Sequence, residues 1–299
     1  MTRSPSMKFP RGGLRPAGLL ALAMPLLLSA CGGGGSAGTP LGDPPTVSSV
    51  TVTATQYGQT AQVAVTGTNL NGTVTLAPRT CRNVSRLAGT DSQHATLYCT
   101  ITGALNSTVD VVNVNSGAVL GSGTYTVAAP EVTMAVSNGG SVNGNLVFSL
   151  DPTRAPITVD NFLDYVNSGF YAGTIFHRVV PGFVIQAGGY TSDGALKTTN
   201  APIALETNVG LHNTQWTLAM ARGGAAASAT SQFYVNVVDN LGLDWQSSAA
   251  PGYAVFGSLS AGTAVAQAIV VAPPCGGLAN GSECKPTTPI VITGAVQTK

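Results

Sequence analysis

Apolar and polar positions alternate in short runs between residues 46 and 128: VSSVTVTAT, AQVAVTG, GTVTLA, ATLYCTITG, VDVVNV and GTYTVAA, separated by Gly, Asn and Ser. A period of two puts successive side chains on opposite faces of a strand, and turn residues at this spacing predict a small β-sandwich. From Val132 the pattern changes. RAPITVDNFLDYVNSGFY carries Val159, Phe162, Leu163 and Val166 at helical spacing on one face, with Pro156 ahead. Thr158 is the expected N-cap and Gly169 is placed for the C-cap. Short strands and polar loops follow, then a second helical stretch, TAVAQAIV, and a closing strand, IVITGAVQT. Many strands with only two helices predict a closed antiparallel barrel whose ends the helices cover.

Ahead of the strands, a basic segment leads into the apolar run AGLLALAMPLLLSA. That run has the length of a secretory leader; a membrane span needs about 20 apolar residues, and Pro25 interrupts this one. It ends in LSAC at 28–31, which resembles the bacterial lipobox, where a peptidase cleaves before the cysteine and its thiol carries a diacylglycerol. Residues 1–30 then read as a lipoprotein signal peptide and 31–45 as a flexible tether with lipidated Cys31. Residues 46–128 form the sandwich and 131–299 the barrel. VTGTNL at 65–70 resembles Ig-like domains of bacterial surface proteins. Gly32, where an Asp would favour retention, points to the outer membrane, with the side it faces left open.

Charged residues make up only 8% of the chain, which suits an exported β-rich protein better than a helical cytosolic enzyme. The formal +1 becomes −3 once Arg3, Lys8, Arg11 and Arg15 of the leader are left out, so no basic patch remains for nucleic acid. Five cysteines would leave one unpaired in an oxidising compartment. Assigning Cys31 to lipid leaves four, with three possible pairings. Two local bonds, Cys81 with Cys99 and Cys275 with Cys284, are the simplest. His94, His177 and His212 lack metal-ligand spacing, CGGGGS opens no helix, and no GxSxG occurs, so no metal, cofactor or hydrolase chemistry is expected.

One segment remains: FHRVVPGFVIQAGGY places a His-Arg pair between apolar runs. With TVDNFLDYVNSGFYAGTI before it, and LAMARGGAAASATSQFYVNVVDN and GYAVFG after it, this stretch resembles the cyclophilins, peptidyl-prolyl cis-trans isomerases, most closely the bacterial periplasmic type. The resemblance runs from about residue 131 to 299. It implies an eight-stranded antiparallel barrel capped by two helices, preceded here by the small Ig-like sandwich, in a mainly β protein.

By the same resemblance, Arg178 is the catalytic donor and Gln186 helps hold substrate and arginine together. Phe183, Val184, Tyr234 and Leu243 form the proline pocket, with Phe233 and Met220 nearby. Gln232, Ala221 and Arg222 line the peptide groove, Tyr253 stands where eukaryotic members often have His, and His177 is a neighbour with modest contact. Val184 replaces a usual Met, Tyr234 a usual Phe, and Gly242 a usual aromatic, a gap that Trp245 is near enough to cover. The implied function is X-Pro isomerisation in exported proteins by a lipid-anchored envelope folding catalyst without cofactor. The alternative is a cyclophilin-like chaperone or adhesin that binds peptide with little turnover.

Overall fold

The computed structural model describes residues 43–299 except 79, 90, 103–104 and 276–280. The expected leader, the lipidation site Cys31 and most of the tether lie outside the described residues. Seven strands come first: β1 (Thr46–Thr53), β2 (Thr60–Thr68), β3 (Val74–Leu76), β4 (Cys81–Arg86), β5 (His94–Ile101), β6 (Asn106–Asn113) and β7 (Val119–Thr126). They make a four-stranded sheet in the order β1-β2-β5-β4 and a three-stranded sheet in the order β3-β6-β7. Alternation decides their faces: Ala61, Val63 and Val65 of β2 are buried with Ala95, Leu97, Cys99 and Ile101 of β5. Gly121 and Gly123 of β7 lie so close to Val47, Val50 and Val52 of β1 that a Cβ on either would fall within 3 Å of a valine methyl. Strand β4 was not foreseen. CRNVSR has no alternation because β4 is largely exposed and broken by an irregularity between Arg82 and Ser85. The Cys81–Cys99 disulfide joins β4 to β5, with Cα atoms 5.3 Å apart.

Eight further strands are β8 (Glu131–Ser137), β9 (Asn143–Leu150), β10 (Thr174–Val180), β11 (Val184–Thr191), β12 (Thr217–Met220), β13 (Phe233–Asn236), β14 (Val255–Ala261) and β15 (Val291–Gln297). They close into a barrel in the order β10-β11-β13-β12-β14-β9-β8-β15. Helices α1 (Pro156–Asn167) and α2 (Thr263–Val270) cap it, as expected. All four apolar residues read onto one face of α1 are buried. Among them Phe162 meets Tyr171, Phe233 and Phe256 at centroid distances of 5.1–5.6 Å. The barrel interior is therefore packed with side chains.

The start of α1 corrects the N-cap expectation. Pro156 is the first helical residue, where its missing N–H costs nothing, and Thr158 lies inside the first turn. Ala155 at the N-cap has no side-chain oxygen, so Glu206 does that work from 48 residues away. Its carboxylate accepts from the N–H groups of Ile157 (3.1 Å) and Thr158 (2.8 Å) and from the Thr158 hydroxyl. The other end follows the sequence. Gly169, at φ +71°, sits just past the end; its N–H and that of Phe170 donate back to Val166 and Tyr165.

Candidate active site

Strand alternation that fills the barrel inside also builds a second apolar cluster on its outer wall. Ile185, Met220, Phe233 and Val235 join the main core, while their neighbours Val184, Ala219 and Tyr234 point the other way and cluster with Val255. Phe183, Leu211, Ala221, Leu243 and Tyr253 pack against that cluster. Over it opens a cavity of about 230 Å³ lined by Arg178, Phe183, Val184, Gln186, Ala221, Arg222, Tyr234, Leu243 and Tyr253. A neighbouring cavity, also of about 230 Å³, shares Gln186, Ala221 and Arg222 and adds Gly223, Ser228, Thr230 and Gln232. The expected catalytic and groove residues thus come together along one shallow groove. A larger hollow of about 480 Å³, bounded by Leu105, Leu150, Leu211, His212 and Val255 among others, contains none of the expected site residues.

The backbone explains how Arg178 comes to face the groove. Phe176 pairs with Ala187 and Arg178 with Gln186, so β10 spends two residues where β11 spends one, and His177 is the extra residue of a β-bulge. The bulge turns Arg178 outward while Phe176 and Val179 stay in the core. After β10, Pro181 and Gly182 (φ +71°) make a tight turn closed by the Phe183 N–H on Val180. This sets the Phe183 ring centroid 5.9 Å from the Arg178 guanidinium carbon.

Several expected residues sit elsewhere. Phe233 and Met220 face the barrel interior, on the opposite side of their strands from the cavity. His177 lines neither cavity; its ring packs edge-on against Tyr190, and burial pushes its pKa below the ordinary histidine value. Trp245 is 43% exposed and does not fold over the gap at Gly242, where an added Cβ would meet nothing within 4 Å among the described residues. Gln186 Nε2 donates to Gln232 Oε1 at 3.0 Å, bracing the two groove glutamines against each other. Arg222 donates from Nε to the Gly252 carbonyl at 2.8 Å and stacks 4.6 Å over the Tyr253 ring, so it serves as a wall.

Three contributors went unseen in the sequence. The Tyr234 hydroxyl donates to Asn213 Oδ1 at 2.7 Å, and Asn213 is fully buried. Asn213 in turn donates to Asp244 from its backbone N–H and from Nδ2. Burial works against ionisation of Asp244, but these bonds and one from His212 outweigh it and hold the carboxyl below its usual range. Burial pushes the Tyr234 phenol upward, so it stays neutral. Glu283, beside Cys284, accepts from Arg178 Nε at 2.9 Å. None of the three lies in a periodic run or a recognised motif.

Residues 132–297 match the family described as cyclophilin type peptidyl-prolyl cis-trans isomerase/CLD. Peptidyl-prolyl cis-trans isomerase A of Dickeya dadantii (strain 3937) is 52% identical over 126 residues, covering 42% of this chain and 66% of that protein. Peptidyl-prolyl cis-trans isomerase cyp18 of Streptomyces antibioticus is 46% identical over 154 residues, 51% of this chain and 92% of the relative. Peptidyl-prolyl cis-trans isomerase B of Escherichia coli (strain K12) is 48% identical over 129 residues, 42% and 79%.

Proposed function

The chain belongs to the cyclophilin-type peptidyl-prolyl cis-trans isomerases, and from that membership we propose that Arg178 and the slot beside it carry the rotation of X-Pro bonds. The C–N bond of such an amide resists rotation by about 18–20 kcal/mol because resonance gives it double-bond character. In the twisted transition state that resonance is lost and the prolyl nitrogen gains a lone pair. A cation with fixed N–H donors stabilises this lone pair more than the planar ground state, and that difference is what lowers the barrier. No proton moves, so neither the neutral Tyr234 nor His177 is needed as an acid or base.

Phe183, Val184, Tyr234 and Leu243 offer the pyrrolidine ring an apolar wall, and Gln186, Gln232 and the segment at Ala221 and Arg222 hold the peptide on either side. The observation that carries this reading is Arg178, turned out by the bulge onto the rim of that cavity. Exchange spectroscopy on an X-Pro peptide tests it: Arg178→Ala is expected to lose about 100-fold or more in kcat/KM, the usual cost of one transition-state donor. Equal rates for the variant and the wild type would refute the assignment.

The wider setting is an exported folding catalyst, anchored by lipid on Cys31 in the bacterial envelope. The LSAC motif supports this, as do two disulfides, which suit an oxidising compartment. Among the described residues no helix is long and apolar enough to cross a membrane. The strand order β1-β2-β5-β4 beside β3-β6-β7 matches an immunoglobulin-type sandwich, which supports residues 46–128 as an Ig-like spacer before an isomerase domain at 131–299. Metabolic labelling with palmitate is expected to mark the wild type and not Cys31→Ser. Label retained in that variant rules out the anchor.

A further inference from the structure

We infer that Glu283 is a positioning residue for Arg178, an inference that rests on Arg178 being the donor proposed above. Glu283 Oε2 accepts the 2.9 Å hydrogen bond from Arg178 Nε. Nε is the guanidinium nitrogen nearest the chain, so engaging it fixes the plane of the fork and leaves Nη1 and Nη2 to meet a substrate. The Phe183 ring bounds the guanidinium on another side.

The fold delivers Glu283 to this spot by its backbone. Cys284 forms an isolated antiparallel bridge with Val179, with N–H to carbonyl bonds of 2.7 and 2.8 Å, and the Gly281 N–H donates to the Pro181 carbonyl. That bridge makes Arg178 and Glu283 diagonal neighbours on one face, a separation that long side chains span. The disulfide from Cys284 to Cys275 ties the same segment to the residues following α2. An ion pair with Glu283 68% exposed would do little if both side chains and both backbones had to be ordered. Here the bridge has already fixed the backbones, and only the side-chain torsions remain to be set. Rotation catalysis depends on a narrow donor geometry, so a modest bias in the fork's orientation reaches the rate.

The test measures kcat and KM by exchange spectroscopy on an X-Pro peptide, with 15N relaxation of the Arg178 Nε–H, in the full chain. Glu283→Ala is expected to lower kcat about fivefold, the scale of an exposed ion pair, and to loosen the Nε–H. KM should stay within about twofold, since ground-state binding is untouched. Glu283→Gln, whose Oε1 still accepts from Nε, should recover most of the loss. Replacing Cys275 and Cys284 together by Ser frees the segment and should lower kcat similarly, with no further loss on adding Glu283→Ala. The inference is overturned if Glu283→Ala keeps or raises kcat, if only KM changes, or if Gln is no better than Ala. Arg178→Ala in the same series separates the two readings: if it too stays active, the donor assignment has failed. If it is inactive while the Glu283 variants match wild type, only the positioning role falls.

Discussion

Asn213 shows how one buried amide supports the wall of a slot it never lines. Its Oδ1 accepts from Tyr234 at 2.7 Å and from Asn236 at 3.2 Å, and its Nδ2 donates to Asp244 at 2.9 Å. Tyr234→Phe removes one of two donors to Oδ1, leaves that oxygen satisfied, and should cost about 1 kcal/mol. Asn213→Ala strands the Tyr234 hydroxyl in the interior, while Asn236 keeps its bond to Thr217, and should cost about 2–3 kcal/mol. Urea unfolding measures both, and equal losses would mean that the network does not hold Tyr234. The sequence hid this pairing. Tyr234 is legible as a pocket residue where the resemblance has a Phe, but the partner of its hydroxyl sits in HNTQW, a stretch without pattern, and reaches it only in the folded chain.

Among the elements, legibility follows how locally each is determined. Helix α1 could be read because an apolar stripe every three or four residues has few other solutions, and Gly169 closes it by a backbone geometry that glycine favours. Its first turn could not, since Glu206 arrives from a distant loop. The strands of the first two sheets alternate where one face is wet, and β4 escapes the pattern because it is largely exposed and its register shifts between Arg82 and Ser85. TIFHRVV alternates badly because of its bulge, and that irregularity marks the place where Arg178 is turned outward. The groove residues are legible only through family resemblance. Glu283 was missed because it reaches Arg178 through a bridge between segments about 100 residues apart, which no local pattern encodes.

Across the whole molecule, the two expected domains share a seam and not merely a linker. The Tyr57 hydroxyl donates to Asp160 of α1 at 2.7 Å, Arg82 of β4 faces Asp160 and Asp164, and Gln297 Nε2 donates to the Tyr57 carbonyl. Buried side chains of both parts form one continuous cluster. Burial raises the Asp160 pKa to about 6, against the opposing pull of Tyr57 and Arg82 and with the help of Asp164 and Glu206. Folded protein therefore keeps this proton where the unfolded chain, with an ordinary value of 3.8, has released it. The stabilising contribution is full below that value and is lost as pH rises through about 6. Relative to Asp160→Asn, the wild type should lose up to about 3 kcal/mol between pH 4 and pH 7, read from urea titrations at each pH. A constant difference between the two proteins across that range would contradict the raised pKa of this partly buried carboxyl.

The position of the slot on the outside of a filled barrel has a consequence for clients. A ligand lodged within a barrel must enter through an open end, which favours small or terminal groups. A groove on the flank can be approached sideways by a kinked stretch in the middle of a long polypeptide, with both tails trailing free. If X-Pro rotation runs in this groove as proposed, chain length sets no limit on the substrate, and an internal loop can be presented without threading a terminus.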